Sequence, residues 1–76
     1  MAFFKFRALN AITGQPIKAE VNLGGVPRGY TPTNKSDYLL VETTQSGRFS
    51  WYAKYAGKKV DSGSSSGGNI DIIYSP

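Results

Sequence analysis

The chain contains no cysteine and no histidine. Without cysteine, neither a disulfide nor a thiolate metal site can staple the fold, and redox chemistry gives no reading of compartment. Without histidine, the commonest general base and the commonest metal ligand are both missing. Acids are few: Glu20, Asp37, Glu42, Asp61 and Asp71 are all of them, and no two stand at the spacing of a metal loop or a catalytic carboxylate pair. No apolar run approaches the roughly 20 residues that a membrane-spanning helix needs. A signal-peptide pattern is also absent, because Met1 to Phe6 is short and aromatic, with Lys5 and Arg7 among and after the apolar residues instead of before them. These absences set the expectation of a non-enzymatic domain that uses no cofactor or metal, does not insert in a membrane and is made in the cytoplasm.

What is present suffices for one small domain. The 76 residues are 39% hydrophobic, with four Phe, five Tyr and one Trp to fill a core. A second core would leave each half too small to offset its ordering entropy. Nine Lys and Arg against five acids give a net charge of +4, which favours solubility and a loose attraction to anions.

Alternation with period two is the main structural signal, since successive side chains of a strand point to opposite faces. From Ile17 to Leu23, Ile17, Ala19, Val21 and Leu23 fall on one face and Lys18, Glu20 and Asn22 on the other. From Arg48 to Tyr55, Phe49, Trp51, Ala53 and Tyr55 face inward while Arg48, Ser50, Tyr52 and Lys54 face outward. The run from Phe3 to Ile12 sets Phe4, Phe6, Ala8 and Ile12 on one side, with Phe3 and Leu9 breaking the pattern. Residues 37–44 are apolar on both faces, Leu39 and Val41 against Tyr38 and Leu40, which predicts a central or doubly covered strand. Gly57 and Lys58 suggest a tight turn into a short strand at Lys59 to Asp61, and Ile70 to Tyr74 reads as the last strand. No segment has helical periodicity. The expected fold is all-β, a small antiparallel sandwich of about six to seven strands.

Two connections stand apart. Residues 26–36 carry Pro27, Arg28, Gly29, Tyr30 and Pro32, and read as a projecting loop that is too polar and Pro-broken for a central strand. Residues 62–69 are Ser- and Gly-rich and read as a flexible loop.

Three motifs follow in order: Thr13-Gly14-Gln15-Pro16-Ile17; Val21-Asn22-Leu23-Gly24-Gly25; and Thr43-Thr44-Gln45-Ser46-Gly47-Arg48-Phe49. Each Gly can supply a turn conformation with positive φ, and each Ile or Phe restarts a buried face. The series resembles the carboxypeptidase-regulatory-like group of transthyretin-like β-sandwiches, with its T-G-x-P-I hairpin and T-x-x-G-x-F turn. The segment between Gly25 and Thr43 is longer than in that pattern, and Tyr55-Ala56-Gly57 stands where the group has G-Y. The resemblance implies a seven-strand sandwich used as a stalk, adhesion or assembly module, with no catalytic residues to carry over.

Several side-chain groupings bear on binding. Arg48, Tyr52 and Lys54 share one strand face and Lys58 and Lys59 follow, a mixture of cations and an aromatic that suits phosphate contact and base stacking. The same pattern is what the solvent face of any soluble sheet shows. Arg28, Tyr30 and Tyr38 lie in or beside the Pro-containing connection, a usual place for a partner contact. Gly24, Gly25, Arg28 and Gly29 do not make a phosphate loop, since no Lys-Ser or Lys-Thr pair closes it and no helix follows. The serines near Lys59 lack a His to activate them. Asn34-Lys35-Ser36 is a sequon that matters only in a glycosylating pathway.

A small β domain without disulfide or metal has oligomerisation left as a means of burying more surface. Phe3, Phe4 and Leu40 offer apolar area beyond the needs of one interior. The first expectation is therefore a self-associating structural subunit of a virion, appendage or other extracellular particle, whose partners are its own copies or other particle proteins. The alternatives are a cytoplasmic protein that binds nucleic acid or another anion, such as a phage-encoded inhibitor of host defence, and a carbohydrate-binding module.

Overall fold

The alternating N-terminal run becomes β1 (Ala2–Asn10), which buries Ala2, Phe4, Phe6 and Ala8 and turns Phe3 and Lys5 outward. The computed structural model describes all 76 residues and adds β2 (Glu20–Leu23), β3 (Val26–Tyr30), β4 (Leu39–Thr43), β5 (Phe49–Tyr55), β6 (Lys58–Ser65) and β7 (Gly68–Tyr74). Three strands form one sheet in the order β4-β1-β7 and four form the other in the order β3-β2-β5-β6. All pairings are antiparallel except β1 with β7, which run parallel. The architecture is thus the expected all-β sandwich of about seven strands.

The two sheets meet through aromatic rings. Phe4 and Phe6 stack at 6.2 Å between centroids; Phe4 meets the edge of Phe49 at 5.9 Å, and Phe6 meets Trp51 at 6.0 Å. These edge contacts let β1 of the first sheet grip β5 of the second, each such pair adding about 0.5–1.5 kcal/mol to the burial itself. Val21, Leu23, Ala53, Ile70 and Ile72 fill the space between them.

The strand expected from Ile17 keeps its buried face, since Ile17, Ala19, Val21 and Leu23 are all inside, but its ladder begins only at Glu20. The chain is crossing from one sheet to the other there. Asn10 Oδ1 accepts from the amides of Ile12 and Thr13 to start the turn, and the Ile17 amide donates to the Ala8 carbonyl of β1. At the far end of the crossing stands buried Thr31. Its Oγ1 accepts from the Ala19 amide and donates to the Ile17 carbonyl, at 2.9 and 2.7 Å, while its own amide donates to the Ala19 carbonyl. One hydroxyl thereby satisfies two backbone groups that no ladder reaches. Ile12, expected on the core side, lies in this turn and is exposed, because the chain leaves the sheet after Asn10.

Four other expectations need correction. Residues 26–36 are not all loop: Val26–Tyr30 pairs with β2 as an edge strand, where Pro27 is tolerated because its missing N–H costs nothing on an outer edge. Residues 62–69 are not a flexible loop either, since Ser62 to Ser65 continue β6 and Gly68 opens β7, leaving Ser66 and Gly67 as the turn. Gly63 explains the composition. It sits opposite Trp51, and a Cβ there would lie 3.0 Å from the indole ring, so only glycine lets the ring lie against this strand. The turn before β6 is Ala56-Gly57, both at positive φ (53° and 79°), in place of Gly57-Lys58. Finally, β4 is an edge strand, not a central one. Its two apolar faces differ: Val41 is buried and Leu40 is 69% exposed.

Candidate functional site

The sandwich presents two outer faces of different chemistry. On the three-stranded sheet the register sets side chains in rows that run from β4 across β1 to β7. Glu42 lies beside Phe3, then Leu40 beside Lys5 and Asn69, while Arg7 stands beside Asp71 and Leu9 beside Ile73. Phe3 is 62% exposed and, with Leu40, walls a shallow groove of about 360 Å³ shared with Lys5 and Glu42. Ile73 adds a further exposed apolar side chain at the opposite end of the face. Arg7 is engaged from both sides, by Asp71 at 3.1 Å and by the Tyr38 ring at 5.2 Å. It is the only ion pair in the molecule, so Glu42 and Lys5 are left without charged partners.

Phe4 is not on this surface. It was expected as an oligomer contact with Phe3 and Leu40, yet it is wholly buried, because alternation along β1 puts it in the core opposite Phe49. Phe3 and Leu40 remain, and β1–β4 pairing brings them to adjacent rows.

The four-stranded sheet turns a polar face outward. Tyr52 lies between Lys54 and Lys59, whose ammonium groups stand 5.9 and 5.1 Å from its ring centre. Asn22, Ser50 and Ser62 surround it above a shallow depression of about 390 Å³. Arg48 is held at the end of this surface by a 3.0 Å bond from its Nε to Ser64 Oγ. Lys58 is exposed in the adjoining strand end, opposite Tyr55. Lys54 and Lys59 of the expected cationic set thus share the face of Tyr52, with Glu20 paired to Lys54 as their acidic neighbour, whereas Lys58 shares the face of core-packed Tyr55.

The other expected set is scattered. Arg28 folds back so that Nε and Nη2 both donate to the Leu23 carbonyl, which leaves it half-buried and occupied. Tyr30 is exposed on β3 with Lys18 over its ring at 5.0 Å. Tyr38 lies under Arg7 on the other sheet. The three side chains thus make their contacts with three different groups.

The sheet edges complete the picture, and sequence reading gave no access to them. An edge strand offers unpaired backbone groups to any other strand, and proteins blunt such edges with proline, bulges, charge or cover. Edge β3 has Pro27 and faces a bulge at Val21/Asn22. Edge β6 has Lys58, Lys59 and a bulge opposite Ala53/Lys54. Edge β7 is capped from the other sheet, where Asp61 Oδ2 accepts from the Ile73 amide at 3.1 Å. Edge β4 has the least of these: Glu42 is its one charge, and no Pro, bulge or capped amide guards it. Its five residues, Leu39–Thr43, include no Pro, Gly, Lys or Arg, pair with β1 in unbroken register, and bond through their amides only within that ladder.

No group of three or more His, Cys, Asp or Glu residues is placed to hold a metal ion. No family model matches the chain, and no curated protein and no solved structure was found to match it.

Proposed function

We propose that this domain is a structural, self-associating module of the transthyretin-like type, built into a virion, appendage or other extracellular particle. The observation that carries this reading is the pairing of exposed Phe3 and Leu40 on a sheet whose nearest edge, β4, is unbulged and has no Pro or capped amide, Glu42 being its one charge. Apolar side chains grouped beside an open edge cost solubility unless they are covered in use. The seven-strand, two-sheet architecture supports the family likeness, and the T-G-x-P-I segment supports it by forming the turn that leads from β1 toward β2. Light scattering over a salt series tests it. Self-association driven by apolar contact persists as salt rises, and a protein that stays monomeric at millimolar concentration would sink the proposal.

A second reading rests on Tyr52 and its two lysines. A ring flanked by cations suits a single-stranded nucleic acid or another polyanion, through stacking and phosphate contact. In that case affinity for an oligonucleotide falls steeply with salt, and the double variant Lys54→Glu, Lys59→Glu loses binding without change of mass.

A further inference from the structure

We propose that β4 is the association strand, and that it pairs antiparallel with β4 of a second copy about a two-fold axis through Leu40, making one continuous sheet in the order β7-β1-β4-β4-β1-β7. The inference rests on the self-association reading above and specifies its contact.

The occupant follows from the edge itself. Among the edge strands, β3 and β6 pair through bulges and β7 has its Ile73 amide taken by Asp61, whereas β4 presents an unbulged ladder whose outward backbone groups make no hydrogen bond. A strand of the same length and twist is what such an edge accepts, and a second copy carries one.

The register follows from the side chains. A two-fold axis perpendicular to the sheet keeps both outer faces on the same side, so only pairings centred on a single residue are allowed. Centring on Glu42 would set two carboxylates directly opposite each other, which is destabilising. Centring on Val41 would set Leu40 against the partner's Glu42, an apolar side chain against an unpaired charge. Centring on Leu40 resolves both conflicts. Leu40 then meets the partner's Leu40 and adds to the apolar area that Phe3 already borders. Glu42 then falls opposite the partner's Tyr38, one position before β4, with the partner's Arg7 behind it under the same cation–π contact. Glu42 is the one acid of this face that has no partner within the chain, since Asp71 is taken by Arg7. Arg7 keeps a quarter of its side chain exposed beside Tyr38, which leaves part of its positive charge open to an incoming carboxylate. The match occurs twice, once on each side of the axis.

Cysteine cross-linking tests the register on the full chain, which has no native cysteine. Directly opposed residues in an antiparallel pair have Cα atoms about 4.5–5.5 Å apart, inside the range a disulfide spans. Leu40→Cys should therefore form a covalent dimer under mild oxidation at least about tenfold faster than Ile12→Cys, a control at a somewhat more exposed side chain on the turn after β1; tenfold is about 1.4 kcal/mol of local preference. Leu40 is on the surface, so the substitution leaves the fold intact, which circular dichroism checks. A companion variant, Glu42→Lys, should weaken self-association, and adding Arg7→Glu to it should restore part of the loss. If wild type self-associates but Leu40→Cys cross-links no faster than Ile12→Cys, the β4 pairing is overturned while the assembly reading stands. If wild type is monomeric throughout, both fall together.

Discussion

The two long sides of the sandwich are closed by different means, and the difference locates where the molecule is complete and where it is not. On one side β6 turns directly into β7 through Ser66 and Gly67, and Asp61 reaches across to hold the Ile73 amide. Tyr55 and Tyr74 close the same side with rings 4.8 Å apart. On the other side β3 and β4 are joined by a connection from Thr31 to Tyr38, and no backbone bond links the two strands. Thr31 secures the start of that connection, while β4 at its end has a backbone ladder to β1 alone. A side chain caps an outward amide on the β6/β7 side, at Ile73, and none does so on β4.

Substitutions can break each side in turn. The largest loss is expected from Gly63→Val on the closed side, where the new Cβ meets the Trp51 ring at 3.0 Å and the ring is wedged by Phe6. Overpacking of this kind costs about 3 kcal/mol, read as a lower urea midpoint. Thr31→Val on the open side should cost about 2 kcal/mol in the same measurement, because the Ala19 amide and the Ile17 carbonyl are left buried without partners. Asp61→Ala removes the cap from β7 for about 1 kcal/mol, and amide exchange at Ile73 should quicken. Leu40→Lys is expected to change folding stability by no more than about 0.5 kcal/mol, since the side chain is exposed. Its effect is on mass: the protein should become monomeric, which sedimentation reads directly. A Leu40→Lys protein as large as wild type would remove the contrast between the two sides.

How much of this was legible in the sequence depends on whether a feature is local. The buried faces of β1, β2 and β5 were readable because alternation is a property of one strand, and Phe6, Val21 and Trp51 lie where it put them. The cationic face was readable for the same reason, since Tyr52 and Lys54 belong to one strand and Lys59 to its hairpin partner. Partnership was not. Whether Leu40 is covered depends on what packs against the outer face of its sheet, where Phe3 on central β1 is exposed as well, and no pattern within residues 37–44 encodes that. The Ser- and Gly-rich stretch misled because its composition matches a linker, whereas here small residues admit the indole of Trp51 twelve positions earlier in the chain. Thr31 could be seen only once the crossing between sheets had removed the ladder from Ile17 to Ala19.

The parallel pairing of β1 with β7, in unbroken register from Phe4 with Gly68 to Asn10 with Tyr74, also has a mechanical consequence. A force that pulls Ala2 and Tyr74 apart runs along both strands in opposite senses. It loads every bond between them in shear, so they must fail together instead of opening one by one from an end. A module held by such a clasp resists tension well beyond what its modest core would suggest, provided the load enters through these two strands. Single-molecule extension from Ala2 and Tyr74 should give a sharp rupture, and extension between β5 and β6, which would unzip their hairpin, a gentle one.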